Sequence, residues 1–473
     1  MNSENLILMA DAYKYAHHKL YYPGTSNIYS YLESRGGIFD ETVFFGLQYF
    51  LKEYLEGQAF TQADLDEADG FLQQVFGRGD VFDRSKFQYI LDRYDGRLPV
   101  KIRAVAEGTA VPTGNVLMTI ENTDPHCYWL TNFLETLLMQ VWYPCTVATL
   151  SSQIKKAVCR YYVETATDSA EAVVDFVLND FGFRGVSSME SAGLGGAAHL
   201  VNFSGSDNLQ GSRMAIKYYH AQKVYGSSIP ATEHSICTLL GKAGELDVFR
   251  HVIRTFPTGT IACVSDSYNI FEACREYWGT ELRQEILNRE GTLVIRPDSG
   301  DPIMTLLAVF DILFKQFGFS LNLKGYKVLP PQVRVIQGDG IDYQTIIDIY
   351  EALKDHHISA ENLVLGMGGA LLQKVDRDTQ KFAFKCSSAV VNGETVSVEK
   401  KPIEMDGQGC LSESFKKSKA GRLKLIKIDG IFSTVNELAH VDLPDQLYTV
   451  FENGRLTNPV TFEEVRKNAN QLL

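Results

Sequence analysis

The clearest pattern along the chain is a repeated change of hydrophobic period. From about residue 175, a short, continuous apolar run gives way to a Gly/Asp/Ser loop and then to a segment with helical spacing. The runs are VVDFVLNDFGFRG, HLVNFSGSDN, TIACVSDSYN, TLVIRPDSGDP, VRVIQGDGID and LVLGMGGALLQK. Helical segments such as NIFEACREYWG, MTLLAVFDILFKQF and YQTIIDIYEALKDH separate them. Continuous apolar strands alternating with helices predict a parallel sheet covered on both faces. With this many units, a barrel or near-barrel is the natural closure. In such folds chemistry sits at the C-terminal ends of the strands, which is where the polar residues cluster here.

The flanks read differently. TVFFGLQYFLKEYLEG and ADLDEADGFLQQVF have helical spacing, and residues 98–121 read as short antiparallel strands with Gly and Pro turns. Tyr128 to about Thr165 reads as helix interrupted near Pro144. After about residue 383 strands return in KFAFKCSSAVVNGETVSVEKK and RLKLIKIDG, and VTFEEVRKNANQLL reads as a closing helix. The expected fold is α/β, with a (β/α) barrel-like parallel core at 151–383. A discontinuous mixed α+β outer domain is expected from both chain ends, 1–150 and 384–473.

Composition narrows the function. Of 473 residues, 45% are hydrophobic and 22% charged, which is ordinary for a folded globular chain. A net charge of -13 argues against a general nucleic-acid or anionic-membrane binder, so a phosphate-rich ligand needs a local basic cluster. Eight scattered cysteines without a CxxC pair read as free thiols, which points to the cytoplasm. The N-terminus is too polar for a signal peptide, and no apolar run approaches the ~20 residues of a membrane span.

Asp207, Asp266, Asp298 and Asp339 each follow a predicted strand. Each is read as a turn or helix cap, or as a carboxylate for a sugar diol or Mg²⁺. Arg296 two residues before Asp298 is either a structural ion pair or a grip on phosphate and ribose. The glycine loops at Gly338–Asp339 and Gly368–Gly369 suit a monophosphate, though neither is a Walker loop. SAGLGGAAHL lacks dinucleotide spacing and reads as close helix packing. His234, beside Glu233 in PATEHS, is a structural histidine or a nucleophile toward phosphoryl groups. Phe181 and Arg184 end a strand, where the ring is core or a stacking face. Lys385, Lys400, Lys416 and Lys417 are a solvated surface or a pyrophosphate site.

Together these segments resemble the nicotinamide phosphoribosyltransferase family. ADAYK, YPGTSNIYSYLESR, NTDPHCYWLTNFLETLLMQVWYPCTVAT, DFGFRGVSS, HLVNFSGSD, PATEHS, VSDSYNIF, IRPDSGDP, RVIQGDGID and GGALLQK occur in the family's order from about residue 6 to about residue 469. The resemblance implies a homodimer that joins nicotinamide to phosphoribosyl pyrophosphate, using Mg²⁺ and coupled ATP. It implies that Phe181 and the neighbouring subunit's Tyr13, next to Asp11, sandwich the pyridine while Asp207 accepts from its carboxamide. Arg184, Arg296, Asp298, Gly338, Asp339, Gly368 and Gly369 would hold the ribosyl phosphate. Asp266 and Asp298 would face Mg²⁺. Arg35, Arg377, Lys385, Lys400 and Lys416 would bind phosphate or pyrophosphate, and His234 beside Glu233 would be phosphorylated by ATP. The chain departs from the family at Asn179, Ala262, Met367 and Ala383, and over Ile403 to Ser414. Nicotinate transfer, and a silent metabolite-binding role on the same scaffold, are the competing readings.

Overall fold

The computed structural model describes residues 4–167, 173–405, 411–413, 417–439 and 442–470, with the side chains of 404 and 411–413 excepted. Contacts divide the chain into two compact units. One comprises Leu150–Ile216 and Ala221–Val375; the other comprises Met1–Thr149, Lys217–His220 and Asp376–Gln471.

The first unit is a curled parallel sheet. Its strands are Leu178–Asp180, Gly205–Ser206, Ile261–Val264, Leu293–Arg296, Val333–Gln337 and Leu363–Met367. Numbered along the chain, they lie in the order 2-1-6-5-4-3. Every ladder is parallel. The gap between the second and third strands is bridged by residues 227–232. The Ser206 N–H donates to Ser227 O at 2.9 Å, and the Thr232 N–H donates to Ala262 O at 3.0 Å. Parallel bridges form at both places, so the ring closes through this extended segment. Ala262, Val294 and Ile336 from three strands form a buried cluster against which Phe181 and Val364 pack. The helices Pro302–Phe317 and Tyr343–Asp355 follow the fourth and fifth strands, capped by Asp301 and Asp342 respectively.

One local expectation needs correction. HLVNF is not a strand: His199 and Leu200 end the Met189–Leu200 helix, Val201 and Asn202 follow it as a turn, and the strand is the shorter Gly205–Ser206. The apolar run is buried by helix packing, which periodicity over five residues does not separate from a buried strand. Gly196 and Gly211 explain that packing, since a Cβ on Gly196 would lie 2.9 Å from Gly211 Cα. The interruption near Pro144 is present, at Gln140 and Val141, but Pro144 itself does not break a helix. It lies in the first turn of Trp142–Thr165, where its missing N–H costs nothing. The interruptions fall earlier, between Leu130–Phe133, Glu135–Met139 and that helix.

The second unit is built on a seven-stranded antiparallel sheet that mixes strands from both chain ends. Thr25–Ser34 pairs with Phe382–Val391 on one side and Val116–Asn122 on the other. Tyr448–Glu452 pairs with Val100–Ala104. A buried carboxylate ties its connections together. Glu107 accepts the N–H groups of Gly46 at 2.8 Å and Gln48 at 2.7 Å, and the Tyr219 hydroxyl at 2.7 Å.

Replacing Glu107 with alanine removes the acceptor for three buried donors. The expected cost is on the order of 3 kcal/mol, read as a lower thermal midpoint. An unchanged midpoint would show that these bonds contribute no net stability.

Candidate active site

Each strand of the parallel sheet delivers a polar or aromatic residue, or a glycine, to the same rim. Phe181 follows the first strand, Asp207 the second, Asp266 the third, Asp298 the fourth, Asp339 the fifth and Gly368 the sixth. Parallel pairing forces this, because all six C-terminal ends point one way. The rim encloses a cleft of about 790 Å³. Its walls include Phe181, Arg184, Asp207, Glu233, His234, Arg296, Asp298, Gly338, Asp339, Gly368 and Gly369.

Phe181 is held by main chain and by the lack of side chains around it. Its N–H donates to Met367 O at 3.0 Å. Gly366 lies beneath the ring: a Cβ there would meet Phe181 Cε2 at 2.0 Å. The Arg296 guanidinium lies 5.6 Å from the ring centroid, within cation–π range. That guanidinium also donates to Asp298 Oδ1 from Nε at 3.1 Å and Nη2 at 2.7 Å. The Arg/Asp couple is therefore an internal ion pair that a bound anion and diol can share.

His234 opens the short His234–Cys237 helix and is half exposed. Its Nε2 lies 3.0 Å from Asp266 Oδ1, and Ser299 Oγ donates to Asp266 Oδ2 at 2.5 Å. A carboxylate only accepts, so Nε2 carries the proton and, in the neutral ring, Nδ1 keeps its lone pair. Aspartate thus orients the ring and leaves the lone pair of the other nitrogen unused by this contact. Ser235 Oγ donates to Glu233, and Ser228 Oγ donates to Asp207 Oδ1. The Asp339 loop is fixed by Gln337 Nε2, which donates to the Asp339 carbonyl at 2.8 Å.

Sequence reasoning missed some of the lining: Asp180, Phe183, Gly185 and Ser235 also face the cleft. Asp180 is the last residue of its strand, and that position was the available signal. Burial and nearby Asp207 push its pKa up to about 6, against the Gly182 N–H and the Asn208 amide that donate to it.

The remaining expected residues lie in the antiparallel unit. Tyr13 is 61% exposed, and Asp11 accepts from the Thr136 hydroxyl at 2.8 Å. Arg35 pairs with Glu33 at 2.6 Å, and Arg377 with Asp378 at 3.1 Å. The Lys385 ammonium is held below its ordinary pKa, chiefly by burial; Glu135 opposes this, while Arg35, Lys400 and Arg377 add to it. Cations this close destabilise one another's charge, and an anion relieves that cost. Lys416 lies outside the described residues.

Residues 176–427 match the nicotinate phosphoribosyltransferase (NAPRTase) family, and residues 5–102 match the nicotinamide phosphoribosyltransferase N-terminal domain. A protein of Xanthomonas campestris pv. campestris, named nicotinamide phosphoribosyltransferase, is 48% identical over 99% of this chain and 98% of its own length. In fold, the chain is similar to nicotinate-nucleotide pyrophosphorylase from Pyrococcus furiosus, with a TM-score of 0.60 and 15% identity. That match covers 99% of this chain and 96% of the other. Human nicotinic acid phosphoribosyltransferase gives a TM-score of 0.58 at 16% identity, covering 98% of this chain and 93% of the other.

The glycine beneath Phe181 is testable by overpacking. Gly366→Ala is expected to destabilise the chain by about 1–3 kcal/mol and displace the ring. Gly369→Ala, where a Cβ meets nothing within 4 Å, should change stability by less than ~0.5 kcal/mol. Equal thermal midpoints for the two variants would refute the steric reading.

Proposed function

The chain belongs to the nicotinamide phosphoribosyltransferase family and is a phosphoribosyltransferase enzyme, and from that premise we propose how its cleft joins nicotinamide to phosphoribosyl pyrophosphate in NAD salvage. The observation that carries the reading is the shared cleft: a stacking ring, a carboxylate, an Arg/Asp pair and glycine loops on one rim.

Phe181 stacks on the pyridine, and Asp207 accepts a hydrogen bond from the carboxamide nitrogen. The same carboxylate repels the carboxylate of nicotinate, so one residue both binds and excludes. Arg184, Arg296, Asp298 and Asp339 hold the ribose and its phosphate, with the backbone at Gly338, Gly368 and Gly369 facing the phosphate oxygens. The pyridine nitrogen then bonds to the anomeric carbon as the C–O bond to pyrophosphate breaks. No general base is needed, because that nitrogen carries no proton; alignment supplies much of the rate.

The departing pyrophosphate needs cations. Mg²⁺ takes one or two protein carboxylates and completes its shell with water and substrate phosphate. Asp266 and Asp298, after neighbouring strands, fit that donor set. Among the described residues no group of three Asp, Glu, His or Cys gathers to hold an ion unaided. Mg²⁺ bound with substrate would neutralise charge on the leaving group. Arg35, Arg377, Lys385, Lys400 and Lys416 supply the remaining positive charge. In a homodimer these cations and Tyr13, beside Asp11, complete the neighbouring subunit's cleft.

His234 Nδ1 bonds to the γ-phosphorus of ATP as its bond to the bridging oxygen breaks and ADP leaves, with Asp266 stabilising the imidazole and Glu233 beside it. Hydrolysis of that phosphohistidine draws the transfer toward product. Cys127, Cys145, Cys237, Cys263, Cys274 and Cys386 are free thiols, in keeping with a reducing cytoplasm. No helix among the described residues is long and apolar enough to cross a membrane.

An assay of nicotinamide, phosphoribosyl pyrophosphate and Mg²⁺, with and without ATP, tests the reaction. Nicotinamide mononucleotide and pyrophosphate should form in equal amounts, faster with ATP; kcat/KM favouring nicotinate would overturn the assignment. His234→Ala should lose ATP stimulation and retain slower basal transfer, whereas preserved stimulation would remove the phosphohistidine. Asp207→Asn should cut the amide-over-acid preference about tenfold or more, the size of a lost charge-assisted hydrogen bond. An unaltered ratio would place selectivity elsewhere.

A further inference from the structure

Asp180 takes no part in the chemistry above, yet its burial is complete. A buried carboxylate without a cation is costly and persists only where its oxygens are well used. No cation among the described residues contributes to its environment. Oδ1 accepts the Gly182 N–H at 2.7 Å. Oδ2 accepts from Asn208 Nδ2 at 2.9 Å. Its main-chain carbonyl accepts the Asp207 N–H at 3.1 Å. The bond to Gly182 fixes the turn just after Phe181. The bonds to Asn208 and the Asp207 N–H fix the residues at the next strand end.

Asn208 is equally committed. Its second amide proton goes to Ala192 O at 2.8 Å, and its Oδ1 accepts the Gln210 N–H at 3.2 Å. It is 1% exposed, so the amide has one satisfied orientation: nitrogen toward Asp180. Asp180 and Asn208 thus form a directional acceptor–donor brace between the ends of two adjacent parallel strands, Leu178–Asp180 and Gly205–Ser206.

We propose that Asp180, through Asn208 and Gly182, is a positioning residue that sets the separation between the Phe181 ring and the Asp207 carboxylate, and so selects a flat ring bearing a carboxamide. The inference rests on the reading of Phe181 and Asp207 as the nicotinamide contacts. It adds to the Asp207 contact a pair that holds that contact and the Phe181 ring in place. A shift of one strand end by a fraction of an ångström misaligns stacking and hydrogen bonding together, because both contacts hang on the same carboxylate.

The test is a swap of donor and acceptor. In Asp180→Asn one acceptor oxygen serves two donors: whichever way the amide turns, its nitrogen faces either the amide nitrogen of Asn208 or the N–H of Gly182, and two donors cannot pair. In Asn208→Asp two carboxylates face each other. In the double variant, Asp180→Asn with Asn208→Asp, the amide at position 180 donates to the carboxylate at position 208. The bond between the two positions is restored with its direction reversed, while the bond to Ala192 O is lost, so recovery is partial. Each single variant is expected to raise KM for nicotinamide about tenfold, the worth of one buried hydrogen bond left unmade, and to narrow the amide-over-acid ratio. KM for phosphoribosyl pyrophosphate should stay within about twofold. The double variant should recover at least half of the lost nicotinamide affinity on a logarithmic scale. Unchanged nicotinamide KM and amide/acid ratio in folded Asp180→Asn would overturn the proposal. So would a double variant no better than the singles, or equal rises in both KM values. Should the single variants fail to fold, the double variant decides, since wild-type-like selectivity there requires the pairing. Wild-type turnover of nicotinamide tests the reaction itself; only the comparison among variants tests the brace.

Discussion

Parallel main-chain pairing is the constraint on which the catalytic unit depends. The six strands, closed into a ring by residues 227–232, must all end on the same rim. That single direction brings together residues far apart along the chain, from Asp180 to Gly369. Closure through an extended segment adds a local benefit. Ser228, within that segment, bonds Asp207, and Glu233 and His234 follow directly after it. The chain that seals the barrel also carries the residues that face its mouth.

Charge is distributed against the overall balance. The chain is acidic, and acids dominate the strand ends, several with an assigned partner: His234 and Ser299 for Asp266, Arg296 for Asp298, Ser228 for Asp207. In the antiparallel unit the cations Arg35, Arg377 and Lys400 lie around Lys385.

Glycine at Gly366 and a carboxylate at Asp180 both act on the placement of one aromatic ring. The first leaves room beneath Phe181, and the second fixes the turn beyond it. Both are packing decisions, and neither shows in hydrophobic periodicity. The same limit explains the local correction. HLVNF is apolar enough for a strand, yet Gly196 and Gly211 let its helix approach a neighbour closely, and burial by that route favours the helix. Pro144 reads as a breaker until its place in the first turn of Trp142–Thr165 is known.

The sequence alone determined the class of fold, because a buried parallel strand must be apolar throughout while its helices must be amphipathic. It also picked out loops that the fold gathers at one cleft: strand-end aspartates, IRPDSGDP and PATEHS stand out where a covered sheet has little use for polar groups. Its long motifs identified the family. The tertiary structure decided which acids face which partners, that Asp180 belongs to the cleft, and where glycine was needed for space. It also decided how the ring of strands closes, through a segment too short and irregular to show a period. Those outcomes depend on distances between residues remote in sequence, and a linear pattern records spacing along the chain but not across it.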